Sequence, residues 1–174
     1  MKPLKQVAQA YLAVREADGK LQAGEPDAAA GEYRRAMELT RTIPQEEVFE
    51  HDGFDAMCNA GLAEALAALG EYPAALEAAD GALRYFGRRG ELHQDEGKRW
   101  IAAVLARGLA LARIDRAHDA LKAFETAREM ISERKGELPG KDEMLAKIEE
   151  NVALLRRTMP DEQPGRKGWW EFWS

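Results

Sequence analysis

The chain has 174 residues, a formal net charge of −6 and one cysteine, Cys58. A single cysteine excludes an internal disulfide framework, and no apolar stretch approaches a signal peptide or a membrane span, so the chain is read as cytoplasmic. Its basic doublets, such as Arg34-Arg35 and Arg156-Arg157, are scattered and build no basic face, so nucleic acid is not an expected partner.

Alanine, leucine, glutamate and arginine dominate, a mixture that favours helix over sheet. Taken in chain order, the first helix carries Ala13, Glu16, Ala17 and Lys20. Gly24 ends it and Pro26 starts the next, which presents Ala29, Tyr33 and Ala36 on one face. The same pattern returns with Asn59, Leu62, Ala63 and Leu66, a turn at Gly70 with Pro73, and the triplet Ala75, Ala79 and Ala82. It returns again with Val104, Arg107, Gly108 and Leu111, a turn at Asp115, and Ala120, Phe124 and Ala127. Steps of four and three keep each triplet on one helix face. Small residues at Ala17, Ala63 and Gly108 mark where the facing helix comes closest.

Three helix hairpins in series, spanning about Ala10 to Ile131, resemble the tetratricopeptide repeat (TPR) family, in particular its small bacterial long-helix variants of unknown function. The resemblance implies an all-α fold, a right-handed α-α superhelix of three TPR-like hairpins plus a capping helix. Units are expected at about 10–43, 44–88 and 89–135, within a helical domain over 1–158. Equivalent alanines Ala29, Ala75 and Ala120 lie about 45 residues apart, against about 34 in the family. The excess falls in 42–55 and 87–99 and is assigned to N-terminal extensions of the second and third A helices, beginning near Thr42 or Pro44 and near Glu91.

After Gly136-Glu137-Leu138-Pro139-Gly140, a cap is expected over 142–158, with Met144, Ile148, Val152 and Leu155 as its apolar stripe. Residues 159–174 form a linker and a tail holding Trp169, Trp170, Phe172 and Trp173, four of the chain's thirteen aromatics. Such a cluster points to docking on protein, on this chain or a second copy, ahead of a membrane surface.

Nothing resembles a nucleophile elbow, a phosphate-binding glycine loop or a Cys-x-x-Cys pair, so neither catalysis nor a cofactor is expected. His51 and His93, each amid carboxylates, are weak metal candidates. By the resemblance, the A helices line a concave groove with Tyr11, Val14, Arg15 and Asp18, then Met57, Ala60, Gly61 and Glu64, then Ala102, Leu105, Ala106 and Leu109. The cations by which family members grip a terminal carboxylate are missing from these positions. The implied function is a non-catalytic scaffold that binds a peptide or helix in an Ala/Gly-lined groove. The alternative is a self-associating module whose groove its own helices or tail fill. A metal-dependent hydrolase is the reading least supported.

Overall fold

The computed structural model describes residues 4–91 and 97–159. They form α1 (Leu4–Gln22), α2 (Pro26–Arg41), α3 (His51–Ala68), α4 (Tyr72–Arg89), α5 (Lys98–Arg113), α6 (Ala117–Glu133) and α7 (Lys141–Thr158), with no strand among the described residues. Consecutive helices pack as three hairpins. The A helices α1, α3 and α5 form one layer, the B helices α2, α4 and α6 the other, and α7 leans on α5 and α6.

The three triplets are the most deeply buried positions of the B helices: Ala29, Ala36, Ala75, Ala79, Ala82, Ala120, Phe124 and Ala127 are all inaccessible and Tyr33 nearly so. They meet Ala17 and Ala63, which are equally inaccessible, and buried Gly108. Contact is tight at two glycines. A Cβ on Gly108 would stand 2.9 Å from the Phe124 ring, and a Cβ on Gly61 would clash with the hydroxyl end of the Tyr33 ring. Tyr33 belongs to the first hairpin and Gly61 to the second, so the missing side chain serves packing between units.

At the third hairpin turn Asp115 adopts a left-handed φ of 61°, doing what Gly24 and Gly70 do at the other two. Aspartate tolerates this region better than most residues, which is why the turn survives without glycine. The cap is seated by Ile148, Val152 and Leu155, and Arg128 of α6 pairs with Glu149 at 2.8 Å.

The extra length per repeat is not where the spacing placed it. Residues 42–50 do not extend α3; they form a segment that buries Ile43 and packs Phe49 against Phe54, with ring centroids 5.5 Å apart. Continuing the helix upstream would give up this apolar burial, so tertiary packing overrides local propensity. In the third unit, Gly87–Arg89 belong to the end of α4, and Gly97, with φ of 81°, precedes α5. Glu91 stands outside that helix and caps it, accepting a hydrogen bond from the Trp100 amide at 2.6 Å.

The two kinds of glycine should separate in a stability measurement. Gly31 is exposed in mid-helix, and a methyl group added there would meet nothing within 4 Å, so Gly31→Ala should stabilise by about 0.5–1 kcal/mol. Gly61→Ala should instead cost about 1–3 kcal/mol, because the Tyr33 ring must move. Urea midpoints shifting in opposite directions at constant slope would be the expected result.

Candidate functional site: a concave groove on the A-helix layer

A groove of about 820 Å³ opens on the A layer, walled by α1, α3, α5 and α7. Ala67 and Ala68 from α3 and Ala102 and Ala106 from α5 contribute small side chains to it. Leu21, Leu105, Leu109 and Leu154 supply apolar surface. Acidic groups come from Asp18, Glu64, Glu143 and Glu150, and basic groups from Lys98, Arg99, Arg113 and Lys147. The lining is therefore charge-balanced, although the chain as a whole carries −6.

Six of the twelve expected lining residues reach this groove: Asp18, Glu64, Ala102, Leu105, Ala106 and Leu109. Asp18, Glu64 and Leu109 occupy equivalent places in the three A helices. The other six do not line it. Val14, Met57, Ala60 and Gly61 are buried between helices, and Arg15 is exposed but stands apart. Tyr11 packs edge-on against Phe54 at 5.1 Å, the ring that also receives Phe49. The segment before α3 thus consumes aromatic surface that the repeat pattern assigned to a ligand. The cap helix contributes a wall that the repeat pattern did not suggest.

In the groove lining the first and third hairpins meet in one polar knot. Arg99 donates two hydrogen bonds to Asp18, at 3.0 Å to Oδ1 and 2.8 Å to Oδ2, and the Tyr33 hydroxyl donates to the same Oδ1 at 2.5 Å. A bidentate guanidinium–carboxylate pair is among the stronger polar contacts a protein makes. Burial first, and then the Asp18 carboxylate, raise the Tyr33 hydroxyl well above the ordinary tyrosine range, so it stays a donor. Neither Arg99 nor Tyr33 was singled out from sequence as part of a site. The signal for Tyr33 was its presence in the buried triplet; Arg99 had none, since its partner lies 81 residues away.

Glu64 is exposed to the groove yet surrounded by protein on most sides, as a group in a concavity is. Loss of bulk solvent raises its pKa, while Arg99 and Lys147 pull the other way. A carboxylate raised in the folded state binds more protons there than in the unfolded chain. Stability from this group therefore falls as pH rises from the ordinary glutamate value of about 4.3 through the raised one. A second polar tie, Arg107 Nε to Asp80 Oδ1 at 2.7 Å, joins α5 to α4.

Candidate chemistry elsewhere is sparse. Cys58 is inaccessible, and burial pushes its thiol up, away from a reactive thiolate. Both ring nitrogens of His51 face backbone carbonyls, Nδ1 that of Phe49 at 3.1 Å and Nε2 that of Ile43 at 3.2 Å, which occupies the atoms a metal would need. His93 and the tail residues Trp169, Trp170, Phe172 and Trp173 lie outside the described residues. Among the described residues no group of three or more His, Cys, Asp or Glu side chains is placed to hold a metal. No helix among them is long and apolar enough to cross a membrane.

Two measurements check the electrostatics. A double-mutant cycle on Asp18→Asn and Arg99→Gln should return a coupling of about 1–2 kcal/mol, above the usual value for exposed pairs because two hairpins and a bidentate geometry are involved. Glu64→Gln should flatten the fall in stability that accompanies rising pH above the ordinary carboxylate range, and should stabilise the protein at pH 7. A variant less stable than the parent at pH 7 would contradict the assignment.

Comparison with known proteins agrees with this architecture. The family model described as Domain of Unknown Function (DUF3856) matches residues 2–144. A crystal structure of a TPR-like protein from Chlorobium tepidum TLS is 55% identical, with a TM-score of 0.85, covering 90% of this chain and 99% of that one. A C-terminal TPR-containing domain from Plasmodium falciparum shares the fold at 16% identity, with a TM-score of 0.62, covering 90% of this chain and 95% of that one. Comparison with curated proteins finds no match. The buried repeat triplets, the paired helix layers and these similarities together make the chain a TPR-like protein that belongs to the DUF3856 family.

Proposed function

We propose that this protein is a non-catalytic interaction scaffold that takes a peptide or a helix of a protein partner into the A-layer groove. The TPR-like fold supports a protein–protein role in general. The observation that carries the finer reading is the groove itself: about 820 Å³, open, with alanine on two of its four walls and leucines among them. Alanine at Ala67, Ala68, Ala102 and Ala106 lets another backbone approach closely, as the same residue type does between this protein's own helices. Apolar surface beside balanced charges suits a segment that is apolar on one side and mixed in charge on the other. The described helices leave this space open, which disfavours a structural module whose groove its own helices fill. A cytoplasmic partner fits the single buried thiol. A hydrolase reading has no support from the groove, where the Asp18 carboxylate is held by Arg99 and Tyr33.

Peptides selected from a displayed random library against the full-length protein supply the test. Their affinity should fall about tenfold or more when Ala102→Arg or Leu109→Glu is introduced, as for a residue central to an interface. Amidating the peptide's C-terminus should leave affinity unchanged, because Arg99 already holds Asp18 and the groove lining carries as many acids as bases. Selected peptides indifferent to both substitutions would remove the groove from the function.

A further inference from the structure

We infer that the groove's resident occupant is the aromatic tail of the same chain, residues 168–173, which competes with any external partner; this rests on the groove being the binding site. Three observations converge on it. The first is where the chain leaves the fold. α7 ends at Thr158, and Glu143, Lys147, Glu150, Asn151 and Leu154 of that helix line the groove. Leu154 is 50% exposed, one turn before the helix ends, so the chain emerges at the groove's rim beside an uncovered apolar side chain.

The second is reach. Trp169 lies eleven residues beyond Thr158, and extended chain covers about 3.3–3.6 Å per residue, or roughly 36 Å here. The whole of α7 is about 27 Å long at 1.5 Å per residue. The tail therefore has enough chain to turn back and lie along the groove face of α7 without help from a second molecule. Tethering also raises its local concentration to the millimolar range, enough to fill the site with a contact too weak for a free peptide.

The third is chemical fit. Trp169, Trp170, Phe172 and Trp173 are large apolar groups, each removing about 150–250 Å² from water when buried. The groove presents Leu21, Leu105, Leu109 and Leu154 for their faces. Lys98, Arg113 and Lys147 stand in the same walls, and cations of this kind are attracted to the faces of indole rings. Arg166, Lys167 and Glu171 of the tail carry both signs of charge, as the groove does. An aromatic cluster left in water would be an aggregation hazard, and the groove offers the nearest apolar shelter.

The test uses the full chain throughout. Subtracting the emission of the variant Trp169→Ser/Trp170→Ser/Phe172→Ser/Trp173→Ser from that of the parent removes the Trp100 background. The tail emission should be blue-shifted and protected from acrylamide, with the same protection at all protein concentrations. Leu154→Arg and Ala68→Arg sit at exposed positions on opposite walls, so the fold should tolerate both, with far-ultraviolet circular dichroism as the check. Each should return the tail to full quenching. The serine variant should also bind a library-selected groove peptide about tenfold more tightly than the parent, since the internal competitor is gone. Tail tryptophans fully open to quencher, protected only at high protein concentration, protected only with anionic phospholipid vesicles, or protected regardless of the groove substitutions would each overturn the inference. Equal peptide affinity in parent and serine variant would overturn it too while leaving the groove as a binding site. Peptides indifferent to Ala102→Arg would instead count against the groove reading itself.

Discussion

How closely two helices approach is set by what is absent between them. The fold depends on positions where the side chain is a methyl group or a hydrogen: Ala17 and Ala63 within hairpins, Gly108 against Phe124, and Gly61 beneath Tyr33. Each removes the obstacle that would hold a neighbouring helix away, and a single larger residue then fills the interface. Small residues provide the approach and Tyr33, Phe86 and Phe124 provide the volume, all three nearly or wholly inaccessible. Stability is carried less by any one large core than by repeated contacts of this kind.

The same constraint determines where the groove lies. Val14, Met57, Ala60 and Gly61 are drawn so far into the helix interfaces that they have nothing left to present to a ligand. Only the positions one turn further along, Asp18, Glu64 and Leu109, face the open space in all three units, together with the small side chains of α3 and α5. The cap closes the remaining side. A helix whose first role is to seal the last hydrophobic face thus also serves as a wall of the cavity, and its seating on Ile148, Val152 and Leu155 bears on both roles.

Much of this was legible in the sequence because it is local or periodic. Hairpins, the buried triplets and the cap follow from residues three, four or seven apart. Gly24 and Gly70 announced two of the three turns, and Asp115 adopted the same conformation without the same signal. What failed was an inference from length. A surplus of eleven or twelve residues per unit fits equally well as extra helical turns or as chain folded back, and only the burial of Ile43 and Phe49 decides between them. The groove was half legible for a related reason. Its positions were carried over from the family's repeat pattern, whereas the contact of Tyr11 with Phe54 and the contribution of α7 are long-range. The Asp18–Arg99 pair is the extreme case, since no period connects residues so far apart.

That pair has a mechanical consequence. A stack in which every unit touches only its neighbours behaves as a spring: bending is shared along its length, and its ends fluctuate nearly independently. Here α1 and α5 do not pack on each other, yet Arg99 of the third unit grips Asp18 of the first, over the top of the second. The contact is a chord across an arc. It ties the two outer hairpins to each other directly, adding a coupling between units that are not neighbours in the stack. A ligand that drew Arg99 away from Asp18 would release that chord, turning a stiff bracket back into a spring.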